Sequence, residues 1–439
     1  MESVAELHKH IDELSFAIDV QLEALKSLEK RRSDARRVLN SRLDPVARLP
    51  LEISTEIFKL CTPTFPRPVL AKEPLKFLHV CRLWREIAVS CPSLWTGIQI
   101  NGNESTDPEF YEACSNWLGR ARPLPLSISL HGSVDVPLGV LLKRFACHIA
   151  HLELYIPDDS SLYGVQWEVP FPSLQTMEII FFSSKEAGED SEMSDDSEFD
   201  VDIFYDSCID LLLGAPSLVE CIFNSIQYAT DLERDRAMHT SLRHLRLGTP
   251  SVYLISYRSW NSANILLYLK LPALETLHLT DLDISPGDFV SFFSESGCAA
   301  SLQALYMDIS NNDEWHFSSD LLSLCFRPFA ALKTLEFFHG IEHDFMLFIE
   351  VLGSAQDFLP NLNHFFLHGY FGKPSHWKAL LDMMLSRGSA RNGSLQSVKV
   401  MSRNIPNGMD PDAGVLLRIC ELVKEGMSIY VGTLYTNLI

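Results

Sequence analysis

The stretch "ALETLHL", residues 273–279, carries a leading Leu274, an apolar residue three positions on and another two beyond that. The same arrangement returns as "SLQTMEI", "SLVECIF", "SLRHLRL", "SLQALYM", "ALKTLEF", "NLNHFFL" and "SLQSVKV". The leading residues are Leu174, Leu218, Leu242, Leu274, Leu302, Leu332, Leu362 and Leu395, at spacings of 44, 24, 32, 28, 30, 30 and 33. A weaker copy, Ile149, Leu152 and Leu154, lies 25 residues before Leu174. The alternation that closes each copy is that of a short strand. The stretches before the later copies, "DFVSFF", "SDLLSLCF", "HDFMLFIEVL" and "HWKALLDMML", have helical spacing. Further on, Leu416, Ile419, Cys420 and Val423 also step helically, Gly426 caps them, and "SIYVGTLY" follows as a strand. Helix and strand returning about every 30 residues predict an α/β solenoid with a parallel sheet, whose stacked neighbours cover what no single unit can bury.

Upstream of the repeats the pattern is purely helical. Pro50 opens a helix on which Ile53, Ile57 and Leu60 share a face, with Phe58 and Cys61 beside it. "TPTFPRP" then interrupts the chain with three prolines in seven residues. Pro74 opens a second helical stretch, with Leu75, Leu78 and Cys81 in one row and Val80, Trp84 and Ile87 in another. Pro92 and Trp95 close the unit. Some fifty residues make a small free-standing domain, and such units gain stability by leaning on a partner.

"LPLEISTEIF", "LHVCRLWREIA" and "CPSLW", taken together over residues 45–96, resemble the F-box, a short helical motif. The break at about residues 62–73 is longer and richer in Pro than in compact examples, which leaves the place of the second helix open. The resemblance implies docking onto the Skp adaptor and, through it, a cullin. Leu49, Pro50, Ile53, Ile57, Val80 and Trp84, with Leu94 and Trp95 of the closing segment, match motif positions used for adaptor contact or for the motif's own core. The downstream repeats resemble leucine-rich repeats loosely. The Asn or Cys of that family, three residues past the last strand Leu, is replaced by Pro250, Leu282, Ser310 and Gly340.

Before the F-box-like unit, Val4, Ile11, Ile18, Leu25, Arg32 and Leu39 occupy one heptad position and Leu7, Leu14, Gln21, Leu28 and Ala35 the other. Such a stripe predicts a helix about 50 Å long. β-branched residues at the first position and Leu at the second favour a two-stranded parallel coil, hence a homodimer. A helix folded back on the next unit through the same stripe is the other reading. The predicted organisation is a coiled helix at 1–42, an F-box at 45–96, a linker and cap at 97–145, and repeats from 146 to 439.

Of 439 residues, 46 % are hydrophobic and 21 % charged, an ordinary globular balance. The net charge of −21 argues against binding nucleic acid or anionic membranes. The first residues, "MESVAELHKHIDEL", hold no apolar signal core. The longest run without Asp, Glu, Lys or Arg, Ile87–Asn103, contains Pro92, Gly97 and Gly102, so no membrane span is expected. Ten scattered cysteines without C-x-x-C point to free thiols in the cytosol or nucleus. Nine acidic residues between Glu186 and Asp202 fill the longest repeat spacing, as a solvated insertion at about 183–202. Ser191, Ser194 and Ser197 within it are candidate phosphorylation sites. Cys147, His148 and His151 are three potential metal ligands without a second cluster to complete a tetrahedral set. No catalytic motif is present. The sequence therefore predicts a non-catalytic subunit without cofactor: an adaptor that holds a target protein for ubiquitylation, or a scaffold that uses the same repeats and coil outside any ligase.

Overall fold

The computed structural model describes residues 4–44, 46–102, 108–132, 136–157, 170–182, 204–224, 235–248, 262–280, 284–309, 314–338, 341–369, 373–388, 394–402 and 412–432. The acidic insertion, with its three serines, lies outside them. The chain is mixed α/β, with an N-terminal helix and a large parallel sheet. It divides into two compact units, Met1–Gln99 with Glu112–Leu126, and Ile100–Tyr111 with Ser127–Ile439.

The first unit begins with α1, Val4–Leu43, 40 residues and so about 60 Å long. Then come α2 (Leu51–Cys61), α3 (Phe77–Val80) and α4 (Arg82–Ser90). The second helical stretch predicted from Pro74 is not continuous. Cys81 is extended, at φ −156°, and its sulfur accepts from the Trp84 amide at 3.5 Å. It thereby caps α4 and divides the row of Val80, Trp84 and Ile87 between two helices.

A strand, β1 (Gly97–Asn101), and helix α5 (Pro108–Arg120) follow. Strand β2 (Leu126–His131) and helix α6 (Val136–Phe145) complete the region expected to be linker and cap. The Pro-rich break has a fixed course. Gln99 N donates to Pro66 O at 3.0 Å, and Arg67 Nε to Gln99 Oε1 at 3.2 Å. At Gly97 a side chain has no room, since a Cβ would stand 2.0 Å from Thr64 O.

In the second unit every predicted repeat strand is present. These are β3 (Ile149–Pro157), β4 (Thr176–Phe182), β5 (Glu220–Asn224), and then, after the two-residue β6 (Ala237–Met238), β7 (His244–Leu247). Among the described residues the short β8 (Leu269–Lys270) pairs with β6 alone. β9 (Thr276–Leu279), β10 (Ala304–Asp308), β11 (Thr334–Phe338), β12 (His364–Gly369), β13 (Ser397–Ser402) and β14 (Ser428–Gly432) follow. From β3 to β14 the main-sheet strands pair in parallel and in chain order.

Register follows the Leu pattern. Leu245, Leu277, Leu305, Leu335, Phe365 and Val398 are successive partners, all buried. The leading Leu of every copy is buried as well. Helix α7 (Phe204–Gly214) precedes β5, and the four predicted segments form α8 (Pro286–Ser296), α9 (Ser319–Phe326), α10 (Glu342–Ser354) and α11 (Pro374–Arg387). α12 (Ala413–Lys424) precedes β14. Phenylalanine fills the space from α8 to α10: Phe289, Phe326, Phe329, Phe337 and Phe348 meet edge to face or stacked at ring separations of 5.4–6.3 Å.

The copies are tied to one another at the point where each strand begins. Just before each strand the main chain of one copy bonds the next: Glu275 N to Arg243 O at 2.8 Å, Gln303 N to Glu275 O at 2.7 Å, Lys333 N to Gln303 O at 2.8 Å, Asn363 N to Lys333 O at 2.8 Å, Gln396 N to Asn363 O at 2.8 Å. The leading Leu amide usually closes a tight turn, as Leu274 N does on Leu271 O at 3.2 Å. At Leu242 a side chain takes that part. His239 Nδ1 accepts from Leu242 N at 3.1 Å, while its Nε2–H donates to Ala215 O at 2.9 Å. Among the described residues no helix is long and apolar enough to cross a membrane.

Candidate functional site

The eight predicted site residues fall into two groups. α2 is amphipathic in both directions. Ser54 and Phe58, four apart, point inward, while Ile53, Ile57 and Leu60 point outward. Ile53 is 49 % exposed and Leu60 85 %. Leu49 and Pro50 at the head of α2 are exposed, as is Val80 at the end of α3, at 50 %. Exposed Leu51, Leu70 and Leu83 extend the apolar character of this unit's surface.

Trp84, Leu94 and Trp95 turn the other way. Phe58 stacks on Phe77 at 4.3 Å and meets Trp84 at 5.0 Å, so the half-buried Trp84 ring belongs to an internal aromatic trio. Its Nε1–H donates to Asp44 Oδ2 at 2.6 Å. The other Asp44 oxygen accepts from Val46 N at 2.9 Å. One carboxylate thus joins the end of α1 to α4. Trp95 is fully buried. Its Nε1–H donates to Ala88 O at 2.9 Å, Trp117 meets its ring at 5.0 Å, and the Arg120 guanidinium lies 4.4 Å from the ring centre. Burial pulls the Arg120 pKa down from its usual value. Trp117 Nε1–H in turn donates to Gly97 O at 3.0 Å. Leu94 is buried beside this cluster. These three residues shape the unit, and the five exposed ones are what it presents.

Two parts of the surface stand outside the eight residues, although the sequence already places Leu60 on the face of Ile53 and Ile57. Leu60 sits seven residues after Ile53 on the same stripe, so helical spacing alone places it in the set. The second is the outward row of the sheet, the residue between the two buried ones of each copy. Arg246, His278, Tyr306, Glu336, Phe366, Lys399 and Tyr430 lie side by side across β7 to β14. His278 stacks on Tyr306 at 3.6 Å, and Lys399 lies 5.6 Å from the centre of the Tyr430 ring. In the neighbouring row Phe338 stacks on His368 at 3.8 Å, whose Nε2 meets Glu336 at 3.2 Å.

The electrostatics of this face follow from crowding. Burial, with Arg246 alongside, pushes the His278 pKa down to about 4. Burial, then the Glu153 carboxylate, raises that of Glu178, and burial, then Glu336, raises that of Tyr306. Tyr and His offer flat apolar faces with hydrogen-bonding edges, which suits recognition of another protein.

The Cys147, His148 and His151 trio does not converge. His151 bonds Thr176 and Glu153, and among the described residues no group of three ligand-type side chains comes together. A scan against protein-family models finds no match for this chain, and a search among curated proteins finds no similar one.

Proposed function

We propose that this chain is the target-holding subunit of a Skp–cullin–F-box type ubiquitin ligase. The observation that carries the reading is the outward apolar stripe of α2. Leu49, Pro50, Ile53 and Ile57, together with Val80, are exposed at motif positions that the F-box resemblance gives to adaptor contact or to the motif's own core, and their exposure favours contact. A stripe of this kind has reason to persist if a helical groove covers it, at about 25 cal/mol per Å2 of apolar surface removed from water. The motif's other apolar residues, Phe58, Phe77, Trp84 and Trp95, close the unit's own core and so hold the stripe in place.

The parallel strands of the second unit are read as an irregular leucine-rich-repeat solenoid whose outward row grips a target protein. The subunit then works by geometry, raising the local concentration of its target near a ubiquitin-loaded enzyme and making or breaking no bond itself.

The test is capture of the purified adaptor by the whole chain and by an Ile53→Asp/Ile57→Asp variant. Capture by the first and its loss in the second, with unchanged circular dichroism, is the expected result. No capture by the native chain would leave a scaffold acting outside a ligase as the better reading.

A further inference from the structure

The α1 helix leaves its whole stripe in water. Ile18 is 58 % exposed, Leu25 53 % and Leu28 58 %, and no described residue covers them. A shallow apolar groove runs along Leu14, Ile18, Leu22 and Leu25. Core residue types alone would pair two such helices in parallel. The charges oppose that. From Val4 to Glu23 there are five acidic residues against the single Lys9, and from Ala24 to Leu43 seven Lys and Arg against two acidic residues. In a parallel, in-register pair the two basic halves would lie together. Arg32 would face Arg32 of the second copy across the seam, with Arg31 of each chain beside Arg36 of the other.

We infer that two copies of this chain associate through α1 in antiparallel orientation. Setting Leu25 against Leu28 of the second copy brings each acidic half along a basic one. The same register places Leu14 opposite Leu39, Ile18 opposite Ala35, and the two polar seam residues, Arg32 and Gln21, opposite each other. Arg32 then has an amide oxygen to donate to in place of a second guanidinium, and the acidic half of the second copy, Asp19 and Glu23 on its outer side included, lies alongside in place of the basic half. Both breaks in the apolar stripe are thereby used in one layer, twice by symmetry.

Sedimentation and disulfide trapping of the full chain, with exposed Cys61, Cys147 and Cys420 changed to Ser, test this. The expected result is a dimer that weakens between about 50 mM and about 500 mM salt, because screening removes attraction. Asp19→Lys/Glu23→Lys should weaken it at least about tenfold. Leu14→Cys together with Leu39→Cys should trap covalent dimers. Leu14→Cys alone should not, since the two sulfurs would lie roughly 37 Å apart at 1.5 Å per residue. A monomer at every salt concentration, a dimer that tightens with salt, or efficient trapping by Leu14→Cys alone would overturn the proposal.

Discussion

The Trp84 indole donates to the Asp44 carboxylate at 2.6 Å, across forty residues of chain. The most conspicuous aromatic residue of the helical unit is thus engaged inside it, and its neighbours in sequence are left to face outward.

This arrangement separates two kinds of variant. Trp84→Ala removes a ring from the Phe58–Phe77 trio and the indole donor from Asp44, so it should cost about 3 kcal/mol of the unit's stability. Ile53→Asp and Ile57→Asp alter exposed positions and should change stability by no more than about 0.5 kcal/mol. Denaturant unfolding followed by tryptophan fluorescence distinguishes them. Adaptor capture should fail in both, in the first through loss of the fold and in the second with the fold intact.

Gly97→Ala should loosen the crossing of the Pro-rich break, because the new Cβ would meet Thr64 O at 2.0 Å. Backbone must move there, since a carbonyl cannot give way as a flexible side chain does. Faster limited proteolysis between residues 62 and 73 is the expected readout, along with a lower midpoint of thermal unfolding.

Arg387 is buried in α11 and donates to four main-chain carbonyls of the preceding repeat, Leu352 at 2.8 Å, Leu359 at 3.2 Å, Ala355 and Phe358. These include orphan acceptors at the end of α10, and Leu359 has a φ of +50°, in the left-handed region. Burial lowers the Arg387 pKa, with Asp357 opposing the effect. Arg387→Leu should cost about 3 kcal/mol, since several carbonyls lose their donor at once. Arg387→Lys should recover only part of that, because an ammonium cannot span the same fork. Hydrogen exchange should rise first at the amides around residues 352–362.

His278 should make stability depend on acid. Its pKa falls to about 4 in the fold from an ordinary 6.5, so the unfolded chain takes up the proton more readily. The contribution of the neutral ring is complete above about pH 6.5. It is lost as pH drops from there towards 4, with the penalty complete below that. His278→Phe keeps a ring against Tyr306 and should flatten this part of the stability–pH curve.

The strands were legible because each copy repeats a local rule, a leading Leu followed by alternation, and Leu245, Leu277, Leu305 and Leu335 obey it in register. The outward apolar stripe of α2 was legible for the same reason. What the pattern hid depends on residues far apart in the chain. The break at Cys81 follows from an extended cap that helical spacing cannot reveal. Nothing local marks Gly97 as the crossing point of the Pro-rich break, or Arg387 as a buried donor. The roles of Trp84 and Trp95 were ambiguous because a motif fixes residue type without saying which way a side chain faces.

The links from Arg243 through Glu275, Gln303, Lys333 and Asn363 to Gln396 each have a main-chain bond, and side chains add to two of them, Arg243 to Glu275 at 2.8 Å and Lys333 to Gln303 at 3.1 Å. Any residue but proline, which has no N–H to donate, can make the main-chain bond, so the identities at these positions are free to drift while the joint persists. Connections of quite different length can be spliced between joints without recasting the core. A frame joined this way can vary its connections while keeping its register.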